Sequence, residues 1–504
     1  MKCVKYCVMI ILHYCSDVND IENHFAPGKE THQMKTAQTL PDTSCQTSSP
    51  PLFSGRDLFK IILPLIIQQI LSVTVGIVDS MMVSYAGEAA VSGVSLINSL
   101  DVLLVLVFTS LVSGGSVVIS QALGRKDYER GRAAVKQLLY ATTGIAILVT
   151  VTVLILRRPL LTLLFGSVEA DVMRSAEGYF FFVALSFPLL AIDSANAASF
   201  RAMGNSMVSL LVSLMMNLIN IVGNAILIYV CGWGAVGAAV ATLAARAAGA
   251  LVLTILIHSK KNDLYLEHMF HYKPDFRVIR SILHIGIPNG IENGMFQFGK
   301  LLTQSLISTL PTAAIAANAV ANTLVNIQYM AGSAFSATMV TVVGRCIGAQ
   351  EQAQAKRYSR ILTGLGYLSL ITVALITVVL ARPLIATYNL SETSASIAHS
   401  LILWHSLLAA MVWPIAFILP STFRAASDVR FPLVVSMFSM WVFRVALSYL
   451  FVPESFTVLG ICIPGLGLGV VGVWFAMFVD WFFRTALFLY RYFSGKWMTV
   501  KTDW

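Results

Sequence analysis

Residues 56–84 read RDLFKIILPLIIQQILSVTVGIVDSMMVS, and residues 280–308 read RSILHIGIPNGIENGMFQFGKLLTQSLIS. A shift of 224 positions carries Pro64 onto Pro288, Ala89-Ala90 onto Ala313-Ala314, Asn98 onto Asn322 and Gly124 onto Gly348. The same shift takes Arg158-Pro159-Leu160 to Arg382-Pro383-Leu384 without a gap. Raw identity between the copies is low. The argument rests on prolines, glycines and loop tripeptides that recur between apolar runs of equal length. Such internal duplication fixes architecture before any motif does. The charges are not copied with the scaffold: Gln68 faces Glu292, and Asp79 faces Thr303.

Hydrophobic residues make up 57% of the 504 and charged ones 12%, against about 25% charged in a soluble domain. Apolar runs of about 20 residues, enough to cross a bilayer as helices, recur along the chain. The sequence therefore describes an all-α integral membrane protein. The net charge of +9 does not point to nucleic acid, because the basic residues sit in alternate loops. The seven cysteines are scattered and fit no disulfide or zinc spacing.

Residues 1–55 read as a disordered tail rich in Thr, Ser, Gln and Pro after Gly28, with Met34 as an alternative start. Twelve spans follow, near 59–84, 92–121, 137–156, 177–200, 207–230 and 236–257, then 282–308, 316–343, 361–381, 399–420, 431–452 and 469–490. They divide into an N-lobe (56–258), a polar linker (259–281), a C-lobe (282–492) and a tail (493–504). Lys and Arg crowd the loops after spans 2, 4, 6, 8 and 10, which places both termini in the cytoplasm. Six spans per lobe is an even number, so the lobes insert the same way up. They are parallel repeats about an axis along the membrane normal, with a shared cavity between them.

A charge at mid-bilayer costs about 2.5–3.5 kcal/mol on insertion scales, so each needs a partner or a task. Asp79 lies two-thirds along span 1, in a helix that also carries Pro64 and Gly76. Asn217, Asn220 and Asn224 share one face of span 5. Together they are either a cation or proton site or an interhelical clamp. Asp193 in span 4 is a candidate for the same pocket, whereas Asp101 reads as interfacial. Arg201 and Arg424, in paired Phe-Arg-Ala sequences, read as residues meeting helix ends and lipid phosphate. In the second half, Glu292 and Lys300 are two turns apart on span 7. Asn318, Asn322 and Asn326 form a stripe on span 8. These residues are expected to line a substrate cleft, with Glu292 and Lys300 exchanging partners. Asp480 and Arg484, at i and i+4 in span 12, read as a structural ion pair beside Arg444. Gly467, Gly469 and Gly472 match a dinucleotide fingerprint, but no strand precedes them. There is no Walker A sequence and no metal-ligand cluster, so no cofactor is expected.

The chain resembles multidrug and toxic compound extrusion (MATE) transporters from about Arg56 to Trp497. The residues that carry this are the span 1 aspartate with Ala86-Gly87, the segment Ile119 to Gly124, and Phe200 to Asn205. The openings of spans 6 (Gly234 to Ala239) and 12 (Gly469 to Trp474) belong to the same set. The resemblance implies two six-helix lobes around a V-shaped cleft. It also implies export of organic, often cationic, compounds against Na⁺ or H⁺. Asp79 matches the family's span 1 carboxylate and Asn220 a span 5 asparagine. Asn224 stands where many bacterial relatives have aspartate, and Glu292 is one turn nearer Pro288 than the glutamate of some relatives. These readings describe a monomeric antiporter in the plasma membrane that is not an enzyme. The alternative within the same architecture is a lipid-linked oligosaccharide flippase, which calls for a strongly basic cavity. A membrane transferase lacks its paired acidic clusters here, and a non-transporting membrane protein leaves the buried carboxylates without a purpose.

Overall fold

A computed structural model describes residues 50–166, 168–267, 274–458 and 461–499. The expectations for the tail before residue 50, including Met34, lie outside the described residues. The first helix, Gly55–Ser84, starts from a capping box in which the Ser54 side chain accepts from the Asp57 N–H and Asp57 reaches back. Ahead of the cap the chain is docked: Phe53 N–H donates to the Tyr358 hydroxyl at 3.0 Å, and that hydroxyl donates to Phe53 O at 2.8 Å. The expected tail therefore ends before residue 50, not at 55.

Spans 2 and 3 are Glu88–Gly124 and Tyr128–Phe165. Span 4 is broken into Ala170–Leu185 and Phe187–Ala202 with a 43° bend at Ser186, just before Pro188. Span 5, Ser206–Asn224, runs on through a wider π-helical turn, Ala225–Val230. Span 6 is Gly234–Ile257. The second set is Phe276–Ile307, Thr312–Gly348, Gln352–Val379, Glu392–Phe417, Arg430–Phe451 with a π-helical stretch at Met440–Ala446, and Gly469–Phe493. Among the described residues ten helices are long and apolar enough to cross a membrane, and the bent pair makes an eleventh. The twelfth, Phe276–Ile307, is 32 residues long but diluted by Asn289, Glu292, Asn293, Gln297 and Lys300. Large side chains such as Ile155, Leu163 and Val379 stand more than 70% exposed on the outer surface, as a lipid-facing belt requires.

Two further sequence-based boundaries need correction. The N-lobe runs past 258 into the linker, because Leu264 and Leu266 are buried in the N-lobe core and Arg132 stacks on Tyr265 at 4.0 Å. The C-terminal tail begins later than 493, because Trp497 is fully buried against Tyr492 and Phe423. The fold is helical except for one antiparallel hairpin after span 11, β1 (Ser455–Val458) with β2 (Ile461–Pro464).

The lobes meet at the end of the molecule that carries Arg125, Arg201, Arg345 and Arg424, called here the basic end. A Cβ on Gly124 would collide with Arg345 O, and a Cβ on Gly348 would collide with Gln121 O. Gly124 and Gly348 are equivalent under the 224-residue shift, and so are Gln121 and Arg345. Each contact is therefore the other's image across the axis. Side chains repeat the relation: Gln121 Nε2 donates to Ala425 O at 2.7 Å, and Arg345 Nη2 donates to Ala202 O at 2.7 Å. Lys126 and Gln350, again 224 apart, both turn the chain with positive φ, 60° and 62°. A two-fold seam along the membrane normal follows. Further along span 2, Gly114 lies against Ile282 and Gly286 of span 7. Toward the other end, Ile77, Met81, Val107 and Phe298 are exposed.

Candidate functional site

In the N-lobe, span 1 brings Asp79 against the last turn of span 5, where the helix widens. Asn224 Nδ2 donates to Asp79 Oδ1 at 2.7 Å. Asn220, one turn earlier, fits an ionised Asp79 with its amide nitrogen turned to the carboxylate, 2.7 Å from Oδ1. Its oxygen then accepts from Thr242 Oγ1 at 3.2 Å. Asn220 and Asn224 are buried, 6% and 1% exposed, while Asp79 is half-buried. Asn217 lies another turn toward the basic end and takes no part in these bonds. Among the described residues Asp79 forms no ion pair. Its company is neutral amides.

Asp193 does not join this group. It lines a separate cavity of about 250 Å³ with Gln68, Ser113, Ser116, Arg201 and Thr341, nearer the basic end. Gly249 packs on Met216 and Asp193 together. Met216 is eight residues before Asn224, so Asp193 sits about 12 Å along the helix axis from Asp79. The reason is the direction of span 4, whose second segment faces spans 5 and 6 below the Asp79 level. Arg201, expected to meet lipid phosphate, points into this same cavity.

One buried charge escaped the sequence reading. Arg246, in the Ala-rich middle of span 6, donates from Nη1 to Ser186 Oγ at 2.7 Å. Its Nη2 lies 3.7 Å from Asp101 Oδ2. Asp101 is thus a partnered intramembrane carboxylate rather than an interfacial one. An arginine inside an otherwise uncharged span was the signal that could have found it. The arginine also fills the bend of span 4 at Ser186.

The C-lobe differs from expectation in three places. Glu292 does not pair with Lys300. It takes Arg424 Nη2 at 2.8 Å and the Ser436 hydroxyl at 2.8 Å. Eight residues of helix hold Lys300 about 12 Å away along the axis, beyond reach of the same carboxylate. Arg424, read as lipid-facing, is the partner instead. Asn318 is buried and accepts from Trp474 Nε1 at 2.9 Å, so it clamps span 8 to span 12 and does not line the cleft. Asn322, with its Nδ2 on Asn318 O at 3.0 Å, is exposed, and so is Asn326.

Asp480 and Arg484 are brought together at 2.7 Å (Oδ1 to Nε) deep in span 12, both almost fully buried. Ser439 also donates to Asp480, and Arg484 Nη2 donates to Ser436 O at 3.2 Å. Arg444, in the π-helical stretch of span 11, reaches Asp480 Oδ2 only at 4.0 Å. The Phe296 ring lies among three cations, with Lys300 Nζ at 5.3 Å, the Arg444 guanidinium at 5.4 Å and that of Arg484 at 5.7 Å from its centroid. Behind them, Tyr329 bonds His405 and stacks on Trp413.

A six-helix lobe repeated in parallel defines an integral membrane protein built of two lobes. The MatE family profile matches residues 64–226 and again 288–450, two segments displaced by the same 224 residues as the repeat. The chain belongs to this multidrug and toxic compound extrusion family. It is 25% identical over 449 residues to a protein named uncharacterized transporter YisQ of Bacillus subtilis, covering 88% of this chain and 94% of that one. It is also 25% identical to a probable multidrug resistance protein NorM of Thermotoga maritima, covering 88% and 93%. Among solved structures, an outward-facing MATE transporter superposes with a TM-score of 0.80 at 17% identity, covering 88% of this chain and 97% of that one. A transporter from Pyrococcus furiosus, described as having a binding pocket of reversed polarity, gives 0.77 at 17% identity with the same coverage.

Proposed function

We propose that this chain is a secondary active exporter of organic compounds, driven by inward movement of H⁺ or Na⁺ through the Asp79 group. The observation that carries this reading is a buried network around one carboxylate with neutral partners only. Such a group can take up a proton or a Na⁺ ion without first breaking an ion pair. Among the described residues no three His, Cys, Asp or Glu cluster as a metal site. A bound Na⁺ would therefore have Asp79 as its single full charge and amide or hydroxyl oxygens as the rest, a hard-ligand set suited to it.

The basic end is taken as cytoplasmic, on the alternation of Lys and Arg between loops. The seam between Gln121, Gly124, Arg345 and Gly348 then closes the inner side, and the cleft opens outward. Release of cargo is coupled to cation binding when the lobes rock about this seam. The names of the NorM relatives support drug-like cargo, and the unpaired Asp79 suits a cationic one. Placement in the plasma membrane and action as a monomer complete the reading. The buried charges are mixed in sign, which disfavours the oligosaccharide flippase.

The test is efflux of a fluorescent organic cation from proteoliposomes under separately imposed pH and Na⁺ gradients. Asp79→Asn keeps the shape and hydrogen bonds but cannot ionise. We expect a folded protein that still binds cargo and has lost nearly all gradient-driven efflux. Wild-type pumping by this variant under either gradient overturns the assignment.

A further inference from the structure

The Asp79 group leaves the other wall of the cleft unexplained. Three cations surround Phe296, and among the described residues Asp480 alone forms an ion pair with any of them. Asp480 is committed to Arg484 and Ser439, and Glu292 is committed to Arg424 and Ser436. Among the described residues Lys300 has no ion pair and no hydrogen bond, only the Phe296 face. Arg444 is 9% exposed, its Nε has no partner, and its one ion pair is at 4.0 Å. Both cations lie against the same ring, and the sum of their distances to its centroid bounds their separation at about 11 Å.

Burying a guanidinium without filling its donors is costly, because desolvation is not repaid by hydrogen bonds. A sequence keeps such a group when something else completes it. The missing piece is an acceptor with negative charge. The surroundings say what it is attached to: Phe296 packs on Phe417 with centroids 6.2 Å apart, and Phe417 on Trp481 at 5.8 Å. The indole nitrogen of Trp481 is also buried without an acceptor. Inorganic ions have no use for aromatic walls, whereas a flat organic body does.

We infer that Lys300 and Arg444, with the rings of Phe296 and Phe417, form a binding site for the carboxylate of an aromatic organic acid. The carboxylate lies between the ammonium and the guanidinium, and the ring stacks on the aromatic wall. Lys300, exposed one turn from Phe296 on the same helix face, is the entrance. Arg444, held by the widened turn of span 11, is the floor. The substrate class of the exporter thus includes compounds with a negative end. This rests on the transporter reading for its use in export, but not for binding.

The experiment uses the full-length protein in nanodiscs of zwitterionic lipid, with calorimetric titration of three probes of one shape. These are 2-naphthoate, 2-naphthylmethanol and 2-naphthylmethylammonium. A charge-assisted contact out of water predicts naphthoate binding about tenfold tighter than the neutral alcohol. Lys300→Met is expected to remove most of that preference, and Lys300→Arg to retain it. Lys60→Met, an exposed lysine at the start of span 1 and far from this site in the fold, is expected to leave naphthoate binding unchanged. Equal affinity for naphthoate and the alcohol overturns the site, as does naphthoate binding untouched by Lys300→Met. Inorganic phosphate displacing naphthoate at equal concentration also overturns it, by showing a simple anion site. Intact naphthoate selectivity without any gradient-driven flux keeps the site and removes the exporter reading. Flux of cations without naphthoate selectivity does the reverse.

Discussion

In the N-lobe, Asp79 meets the amides of Asn220 and Asn224 and no cation. In the C-lobe, Asp480 is gripped by Arg484 and Ser439, with Arg444 behind. The two carboxylates sit at non-equivalent places of a duplicated scaffold, Asp79 in span 1 opposite Thr303 and Asp480 in span 12 opposite Leu256, and their surroundings are opposite in kind. A carboxylate among neutral dipoles can change its protonation or bind a cation while its neighbours stay in place. One locked in an ion pair cannot, since any change leaves an arginine buried and uncompensated. The scaffold was duplicated, and the charges placed on its two copies were not.

The largest expected effect tests this contrast by giving both carboxylates the same change. Asp480→Asn strands Arg484 and Arg444 in the lobe interior. Loss of one partner from a buried pair costs about 3–5 kcal/mol, so we expect little folded protein at 37 °C. Asp79→Asn strands no cation and should accumulate at wild-type levels. Comparing the two by fluorescence-detected size exclusion of tagged protein checks the contrast. Equal abundance of both variants would remove it.

The seam offers a smaller and symmetric effect. Gly124→Ala and Gly348→Ala each place a methyl on the facing carbonyl, of Arg345 and Gln121 respectively. Because the two contacts are images of one another, the variants should weaken closure of the basic end equally. We expect cysteine pairs across the seam to become about fivefold to thirtyfold more accessible, corresponding to overpacking of about 1–2 kcal/mol. A large difference between the two variants would mean that the seam is not two-fold.

Much of this was legible in the sequence. The 224-residue repeat needed only prolines, glycines and loop tripeptides, because backbone breaks keep their spacing when side chains drift. The sequence grouped Asp79 with Asn217, Asn220, Asn224 and Asp193 as polar groups of one half, and of these only Asn220 and Asn224 meet the carboxylate. Partners were harder. Glu292 chose Arg424, 132 positions away, over Lys300 on its own helix, because helix spacing kept the nearer residue out of reach. Asn318 looked like part of an exposed polar stripe, until Trp474 of span 12 covered it. Arg246 could have been read, since its cost in span 6 is visible without a structure. Its partner Asp101 could not, because which faces of spans 2 and 6 meet is a matter of tertiary packing.

The smallest expected effect sharpens the N-lobe half of the comparison. Asn224 donates to Asp79 at 2.7 Å, so Asn224→Asp replaces a donor by a second carboxyl group at hydrogen-bond distance. Two carboxyl groups that close do not both remain ionised unless a cation lies between them, so they share one proton or one Na⁺. The fold should tolerate the change, since the side chains are the same size and a shared proton restores the lost hydrogen bond. Transport should persist but become more strongly dependent on the driving cation. At low Na⁺ and high pH the variant should fall several-fold below the wild type, and at saturating cation it should match it. Flux measured across a grid of pH and Na⁺ concentration reads this directly and shows which of the two ions restores the rate. A variant whose flux tracks the wild type over the whole grid would mean that the cation does not bind between Asp79 and span 5, and the coupling role would then pass to Asp193 in its separate cavity.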